Sequence, residues 1–123
     1  MLSIAIILIA MFCSASPLIG QDISGEKIDI VVLLDISESM IPYFDDTVQF
    51  LIGDILAEHL AVGDYFHLIS FADAPEVELS YQVTNQQRIE EALNRIRLLQ
   101  PLGQFTDLVR AMKYLYQYSV QLP

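Results

Sequence analysis

The sequence of 123 residues has almost no cysteine, because its single thiol, Cys13, lies close to the N-terminus. A chain with one cysteine cannot form an internal disulfide, so no disulfide framework supports the fold. Hydrophobic residues make up 54% of the chain and charged residues 18%. This composition is too apolar for a disordered chain, and we expect the protein to fold around a hydrophobic core.

Basic residues are also scarce. The sequence has 6 Lys and Arg against 16 Asp and Glu, which gives a net charge of −10 at pH 7. This negative charge argues against nucleic acid or an anionic membrane surface as the partner, because both would be repelled. Cationic partners and metal ions remain open. The length suits one small domain or part of a larger one, and length alone does not decide between them.

The N-terminus carries an apolar run, residues 2–12, which only Ser3 interrupts and which is followed by small residues. This order resembles the hydrophobic and cleavage regions of a secretory signal peptide. Cleavage after Ala15 or after Gly20 fits the sequence, and we favour Gly20. We therefore assign residues 1–20 to a signal peptide and expect a secreted or extracytoplasmic protein, in the periplasm or at the cell surface.

Two alternatives remain for the same segment. An uncleaved membrane anchor is one, since residues 2–19 are just long enough to span a bilayer. The chain would then touch the membrane only through this segment. A lipid-modified Cys13 is the other. In each case residues 21–123 form the folded domain.

From residue 21 onwards, strand-like and helix-like patterns alternate, which predicts an α/β domain. The first strand is rich in Ile, Val and Leu, as in a strand that is buried on both faces of a parallel sheet. A short segment between the second and third strands predicts a hairpin turn. The predicted order is strand, helix, strand, strand, helix and helix, at residues 28–34, 41–60, 65–71, 76–80, 86–99 and from 106 onwards.

Several polar residues have ordinary structural explanations. Thr106 is the expected N-cap of the last helix, and the acidic Asp107 is expected to favour the helix dipole. Glu76 and Glu78 on the third strand are expected to protect a sheet edge from pairing. The histidines and the C-terminal tyrosines are expected to be structural, the tyrosines packing at a frayed helix end: His59, His67, Tyr114, Tyr116 and Tyr118.

Asp35, Ser37 and Ser39 come directly after the first predicted strand, at alternate positions. In an open α/β sheet, ligands bind beyond the carboxyl ends of the strands, and alternate positions in an irregular turn can converge on one point. Carboxylate and hydroxyl oxygens are hard ligands that suit Mg²⁺ or Mn²⁺. On the spacing alone, a serine that caps the following helix is the simpler explanation.

A family resemblance adds to this. The segment DISESM, residues 35–40, resembles the DxSxS signature of von Willebrand factor type A domains, the core of their metal-ion-dependent adhesion site. The segment LGQFTDLVRAMKYL, residues 102–115, resembles the second metal-site loop of that family. In that loop a threonine opens a helix and a small residue follows one turn later, which Thr106 and Ala111 match. The resemblance covers nearly all of residues 26–120.

The resemblance implies a Rossmann-like, doubly wound and mostly parallel sheet with helices on both faces. It also implies four metal ligands for Mg²⁺ or Mn²⁺, with the aspartate acting through a water molecule: Asp35, Ser37, Ser39 and Thr106. The sequence departs from the family at Glu38, where glycine is frequent. The family also has a further aspartate after a fourth core strand, and this chain ends before such a strand. We therefore expect a partial domain with an incomplete metal site.

A partial domain of this kind has consequences for packing. The central strand, residues 28–34, is expected to have a neighbour on one edge only, and its other edge should be bare. In the last helix, Leu108, Met112 and Leu115 are expected to lack part of their covering.

Two classes of function remain. The resemblance implies a non-enzymatic adhesion or assembly module, in which an acidic side chain of another protein completes the coordination of the metal. The alternative is a hydrolase or phosphotransferase with Asp35 as the nucleophile and the metal holding a phosphate. The sequence lacks a second aspartate two positions after Asp35, a Gly-rich loop and a lysine near the site. We therefore favour the binding module.

Overall fold

The structure is a computed structural model that describes the backbone of residues 3–9 and the whole of residues 26–123. The predicted cleavage region, residues 13–20, lies outside the described residues, and the signal peptide stays a prediction. None of the helices in the described part of the chain is both long and apolar enough to cross a membrane.

Four strands form one mixed sheet in the order β1-β2-β3-β4. The first three are mutually parallel, whereas β4 runs antiparallel to β3 after a short turn, so the predicted hairpin is confirmed. Parallel strands need a crossover, which helices provide between β2 and β3. The α/β fold class is confirmed. The strands are β1 Ser3–Ile9, β2 Ile28–Asp35, β3 Tyr65–Phe71 and β4 Pro75–Gln82.

The central strand β2 is buried on both faces, as its composition predicts. Val31 and Leu33 point to one hydrophobic cluster, while Ile30, Val32 and Leu34 point to the other. All five side chains are at most 1% exposed. Alternate residues of a strand point to opposite faces, so the unbroken apolar sequence builds two cores at once.

Helices cover the sheet. The helix predicted at residues 41–60 begins at Phe44, because Pro42 fixes its own backbone and has no N–H to donate to a helical hydrogen bond. The next helix begins after Asn85, whose side chain accepts a hydrogen bond from the Arg88 N–H. The helical segments are a 3₁₀ turn Glu38–Met40, α1 Phe44–Phe50, a π-helical stretch Leu51–Leu56, α2 Ala57–His59, α3 Gln86–Leu98 and α4 Leu108–Val120.

The expectation of a bare edge on β2 is wrong for the full chain. Strand β1 pairs in parallel with β2 over seven residues, from Ser3 opposite Ile28 to Ile9 opposite Leu34. The sequence of β1 is rich in isoleucine, which favours strands, and the backbone groups on the edge of a buried strand need hydrogen-bond partners. Part of the apolar run that predicts a signal peptide therefore forms a strand in the uncleaved chain.

The expectation for the last helix holds in part. The side chains of Leu108 and Met112 are 43% and 39% exposed, whereas Leu115 is 3% exposed. The expectation is wrong for Leu115 because this residue lies on the face of α4 that packs against Val31 and Leu33 of β2.

The expected edge protection holds for Glu76 and is wrong for Glu78. Strand β4 is at the edge of the described sheet, and Glu76 on it is exposed. Pairing between β3 and β4 shifts register next to Glu78, and such a bulge redirects a side chain. Glu78 instead forms an ion pair with Arg95 of α3 and accepts a hydrogen bond from the Ser70 hydroxyl at 2.7 Å.

Candidate metal centre

Strand β2 ends at Asp35, whose side chain is only 6% exposed. Its carboxylate Oδ1 accepts a hydrogen bond from the Ser37 N–H at 2.8 Å. An aspartate that bonds the backbone two residues later forms a tight local turn. One oxygen of Asp35 therefore shapes the loop that carries the two serines.

The two serine hydroxyls lie together. Ser37 Oγ is 2.8 Å from Ser39 Oγ, with Ser37 buried and Ser39 exposed. Ser37 occupies the N-cap position of the 3₁₀ turn, but its side chain makes no capping hydrogen bond. The simple capping explanation therefore fails for Ser37. The two serine hydroxyls thus lie together in the loop that follows Asp35, and the metal site stays a prediction.

A second loop is bonded directly to the first. The Glu38 N–H donates to the Gly103 carbonyl at 2.7 Å, and the Gly103 N–H donates to the Ile36 carbonyl at 3.0 Å. These bonds pair Gly103 with Ser37 in the manner of parallel strands. A side chain at position 103 would overlap the Ala72 methyl group and approach the Ile36 carbonyl oxygen to 3.2 Å. Sequence analysis missed Gly103, for which the only signal is a glycine in the second loop.

Thr106 lies on this second loop and is exposed. The next residue, Asp107, donates its N–H to the Ala72 carbonyl at 2.7 Å, which holds the loop beside the end of β3. Within residues 26–123, the hydrogen bonds of the loops include none between the Thr106 hydroxyl and Asp35, Ser37 or Ser39. The structure thus brings Thr106 to the adjoining loop without joining it to the other three.

The prediction that Thr106 caps the last helix is wrong by one residue. Asp107 is the N-cap of α4, and its carboxylate accepts a hydrogen bond from the Arg110 N–H at 2.9 Å. Aspartate caps helices at least as well as threonine, and its carboxylate also favours the helix dipole. The Asp107 carboxylate is therefore used as the helix cap, while the Thr106 hydroxyl has no capping role.

The donor atoms of these loops are all hard oxygens, which suit a magnesium-like ion. Asp35 is the only acidic residue in the predicted set. Within the described residues, no group of three His, Cys, Asp or Glu side chains is placed to hold a metal ion. The chemical type of these donors, one carboxylate and several hydroxyl groups, is the type that a hard divalent cation prefers, and with a single negative charge the affinity is expected to be weak.

A second polar cluster lies at the opposite, amino end of β2. His67 of β3 is 4% exposed, and its Nδ1 lies 2.8 Å from the Tyr118 hydroxyl and 2.9 Å from the Ser80 hydroxyl. The Tyr118 hydroxyl also donates to Ser80 Oγ at 2.9 Å. The structural role predicted for His67 fits these contacts. The expectation of a frayed end is wrong for Tyr118, because its hydroxyl bonds α4 to the sheet.

Comparisons with known proteins agree with this architecture. A family model described as von Willebrand factor type A domain matches residues 30–121. Among solved structures, the chain is similar to the von Willebrand factor type A from Catenulispora acidiphila, with a TM-score of 0.56 and 17% sequence identity. The similarity covers 72% of this chain and 22% of that one, so this chain corresponds to a small part of the bacterial protein. None of the curated proteins matches the sequence.

Proposed function

The chain belongs to the von Willebrand factor type A domain family, and we propose that it is a divalent-metal-dependent protein-binding module that acts outside the cytoplasm. Domains of this family generally mediate protein–protein interactions and are generally non-enzymatic. The metal dependence, the extracytoplasmic location and the absence of enzymatic activity in this chain are parts of the proposal.

The observation that supports the metal site best is the junction of the two loops. Two backbone hydrogen bonds join Gly103 to Ile36 and Glu38, on either side of Ser37. This junction holds the loop that bears Thr106 beside the loop that bears the serine hydroxyls. A site built on backbone contacts between two loops is organised before any ligand binds, which lowers the cost of binding.

Each proposed ligand has a distinct role. Ser37 and Ser39 would hold the ion through their hydroxyl oxygens, which lie 2.8 Å apart. Asp35 would contribute the negative charge and, by its bond to the Ser37 N–H, keeps the loop in shape. Thr106 would add a further hydroxyl from the second loop. The cation would supply the positive charge that attracts a carboxylate of the partner.

The net charge of the chain limits which partner surfaces can bind to it. At a net charge of −10, a strongly acidic partner surface would be repelled. We therefore propose a partner protein that presents one acidic side chain to the metal and relies on other contacts for the rest of its affinity. The loops around the site carry exposed apolar side chains for such contacts, among them Ile41 and Phe105.

Titration of the full chain with Mn²⁺, followed by NMR line broadening, tests the proposal. We expect broadening to be centred on residues 35–39 and 106, because paramagnetic relaxation is strongest near the ion. Asp35→Asn should abolish the localised broadening, whereas Asp46→Asn, which removes an exposed charge from α1, should leave it in place. Broadening that is centred elsewhere, or that Asp46→Asn removes equally, would show that the site is assigned wrongly.

A further inference from the structure

An open cleft of about 500 Å³ lies beside α4, near the turn that joins β3 to β4. Arg110, Lys113, Tyr114 and Gln117 line it from α4 and, at intervals of three and four residues, share one helix face. Pro75, the first residue of the edge strand β4, lines it from the sheet. None of these residues is a predicted metal ligand.

The charge of the cleft differs from that of the chain. Two of the 6 basic residues, Arg110 and Lys113, line this one cleft, although acidic residues number 16. Neither takes part in the ion pairs found among residues 26–123. The Arg110 guanidinium donates a hydrogen bond to the Asp73 carbonyl at 3.2 Å, which holds it beside the cleft. The Asp107 carboxylate also lines the cleft and accepts a hydrogen bond from the Arg110 N–H as the helix cap, so two basic side chains face one acidic side chain and the lining keeps a net positive charge.

Part of the remaining lining is apolar, from Pro75, Val109 and Tyr114. Tyr114 is partly buried, packs against the core under α4 and stacks on Tyr118 with ring centroids 6.2 Å apart. Val109, at the rim, is 65% exposed. Pro75 adds a rigid ring. A cleft with two cationic groups next to a fixed aromatic and an aliphatic side chain fits a ligand that joins negative charge to an apolar group.

We infer that this cleft binds a carboxylate that is flanked by an apolar group, from an acidic peptide side chain or from a small organic acid. A ligand with one or two negative charges gains from Arg110 and Lys113. A polyanion would also meet the repulsion of the whole chain, whose net charge is −10. The binding is independent of the metal, because the basic side chains supply the positive charge.

The experiment uses the full chain in buffer stripped of metal by a chelating resin, with NMR shift changes as the readout. The probes are the peptide acetyl-Val-Glu-Leu-Val-amide, its Gln counterpart, and 4-methylpentanoate as the small acid. We expect the Glu peptide or the small acid to shift the amides of Lys113, Tyr114 and Gln117, and the Gln peptide to leave them unchanged. The tighter of the two acids identifies the source of the carboxylate.

Lys113→Gln is the test variant, and Lys27→Gln is its matched control because it removes the same charge from an exposed position just before β2. Loss of one exposed charge pair is expected to weaken binding about three- to fivefold in Lys113→Gln. Lys27→Gln should bind as the wild type does. Failure of both acids to shift these amides, equal non-zero shifts with the Glu and Gln peptides, shifts confined to residues 35–39, or equal weakening in both variants would overturn the inference. Because no metal is present, these results leave the metal-dependent function to be judged separately.

Discussion

Asp29 Oδ1 lies 3.0 Å from His67 Nε2, and both side chains are buried in the sheet. The other carboxylate oxygen of Asp29, Oδ2, has no hydrogen-bond partner among the described residues. A buried carboxylate that is only partly bonded is costly, so its one contact carries unusual weight. Through Tyr118, the same histidine also bonds α4 to the sheet.

This contact predicts a large effect for a single substitution. His67→Leu leaves the Asp29 carboxylate buried and unpaired, and we expect the free energy of unfolding to fall by about 3–5 kcal/mol. The double variant Asp29→Leu with His67→Leu removes both polar groups and should recover much of that loss. Urea denaturation measures the wild type, Asp29→Leu, His67→Leu and the double variant. His59→Leu, on an exposed part of α2, is the control and should change stability by less than about 0.5 kcal/mol. Additive losses at positions 29 and 67 would contradict the pairing.

Sequence periodicity predicted the elements whose pattern is local. The apolar run at residues 30–34 of β2, the hairpin that follows β3 and the amphipathic spacing of α3 each reflect their own residues. The contacts of His67 were not predictable in this way, because its partners Asp29 and Tyr118 are 38 and 51 positions away. Strand β1 was missed because an apolar run rich in isoleucine fits a signal peptide and a strand equally well.

In the candidate site too, local features were predicted and contacts between distant residues were not. Asp35, Ser37 and Ser39 lie within five residues, so local spacing predicted their proximity. Gly103 was missed because its importance comes from a close approach to Ala72, which only tertiary structure brings about.

Gly103→Ala tests that close approach. The added methyl group would overlap the Ala72 methyl group and approach the Ile36 carbonyl oxygen to 3.2 Å, so the second loop must shift away from both. We expect a loss of about 1–3 kcal/mol in the free energy of unfolding and NMR shift changes at Ser37 and Glu38. Gly53→Ala is the matched control, since nothing lies within 4 Å of the added methyl group. In a helix interior this replacement should stabilise the protein by about 0.5–1 kcal/mol. Equal effects of the two substitutions would show that the loops are not closely packed.

Because of Tyr81, we expect the free energy of unfolding to depend on pH in the alkaline range. Burial, assisted by the Glu91 carboxylate, raises the pKa of Tyr81 above its ordinary value of 10.0, although the nearby Arg88 acts in the opposite direction. A raised pKa means that folding favours the neutral phenol. The stability it contributes is therefore fully present below about pH 10 and is lost as the pH rises through the raised pKa.

The measurement compares the wild type with Tyr81→Phe, which also removes the hydrogen bond from the Tyr81 hydroxyl to the Arg88 carbonyl at 2.8 Å. The difference in the free energy of unfolding should be constant between about pH 7 and about pH 9 and should shrink above about pH 10. Tyr116→Phe, at a side chain that is 70% exposed, controls for loss of a hydroxyl at neutral pH. A difference that stays constant well above pH 10, or that falls at lower pH, would contradict the assignment.

The last prediction concerns β1, which pairs with β2 in the full chain and belongs to the segment that we predict to be cleaved. Removal of residues 1–20 leaves the backbone groups on one edge of a fully buried strand without partners, and such an edge readily pairs with another chain. We expect residues 21–123 to associate in sedimentation experiments and to melt about 10 °C or more below the full chain. The double variant Ile6→Pro with Ile7→Pro should reproduce this effect. Proline has no backbone N–H, and one of two consecutive N–H groups in a strand faces the neighbouring strand, here β2. The control Ile6→Val with Ile7→Val keeps both N–H groups and should melt as the full chain does. A shortened chain that stays monomeric and melts as the full chain does would show that β2 does not need this neighbour.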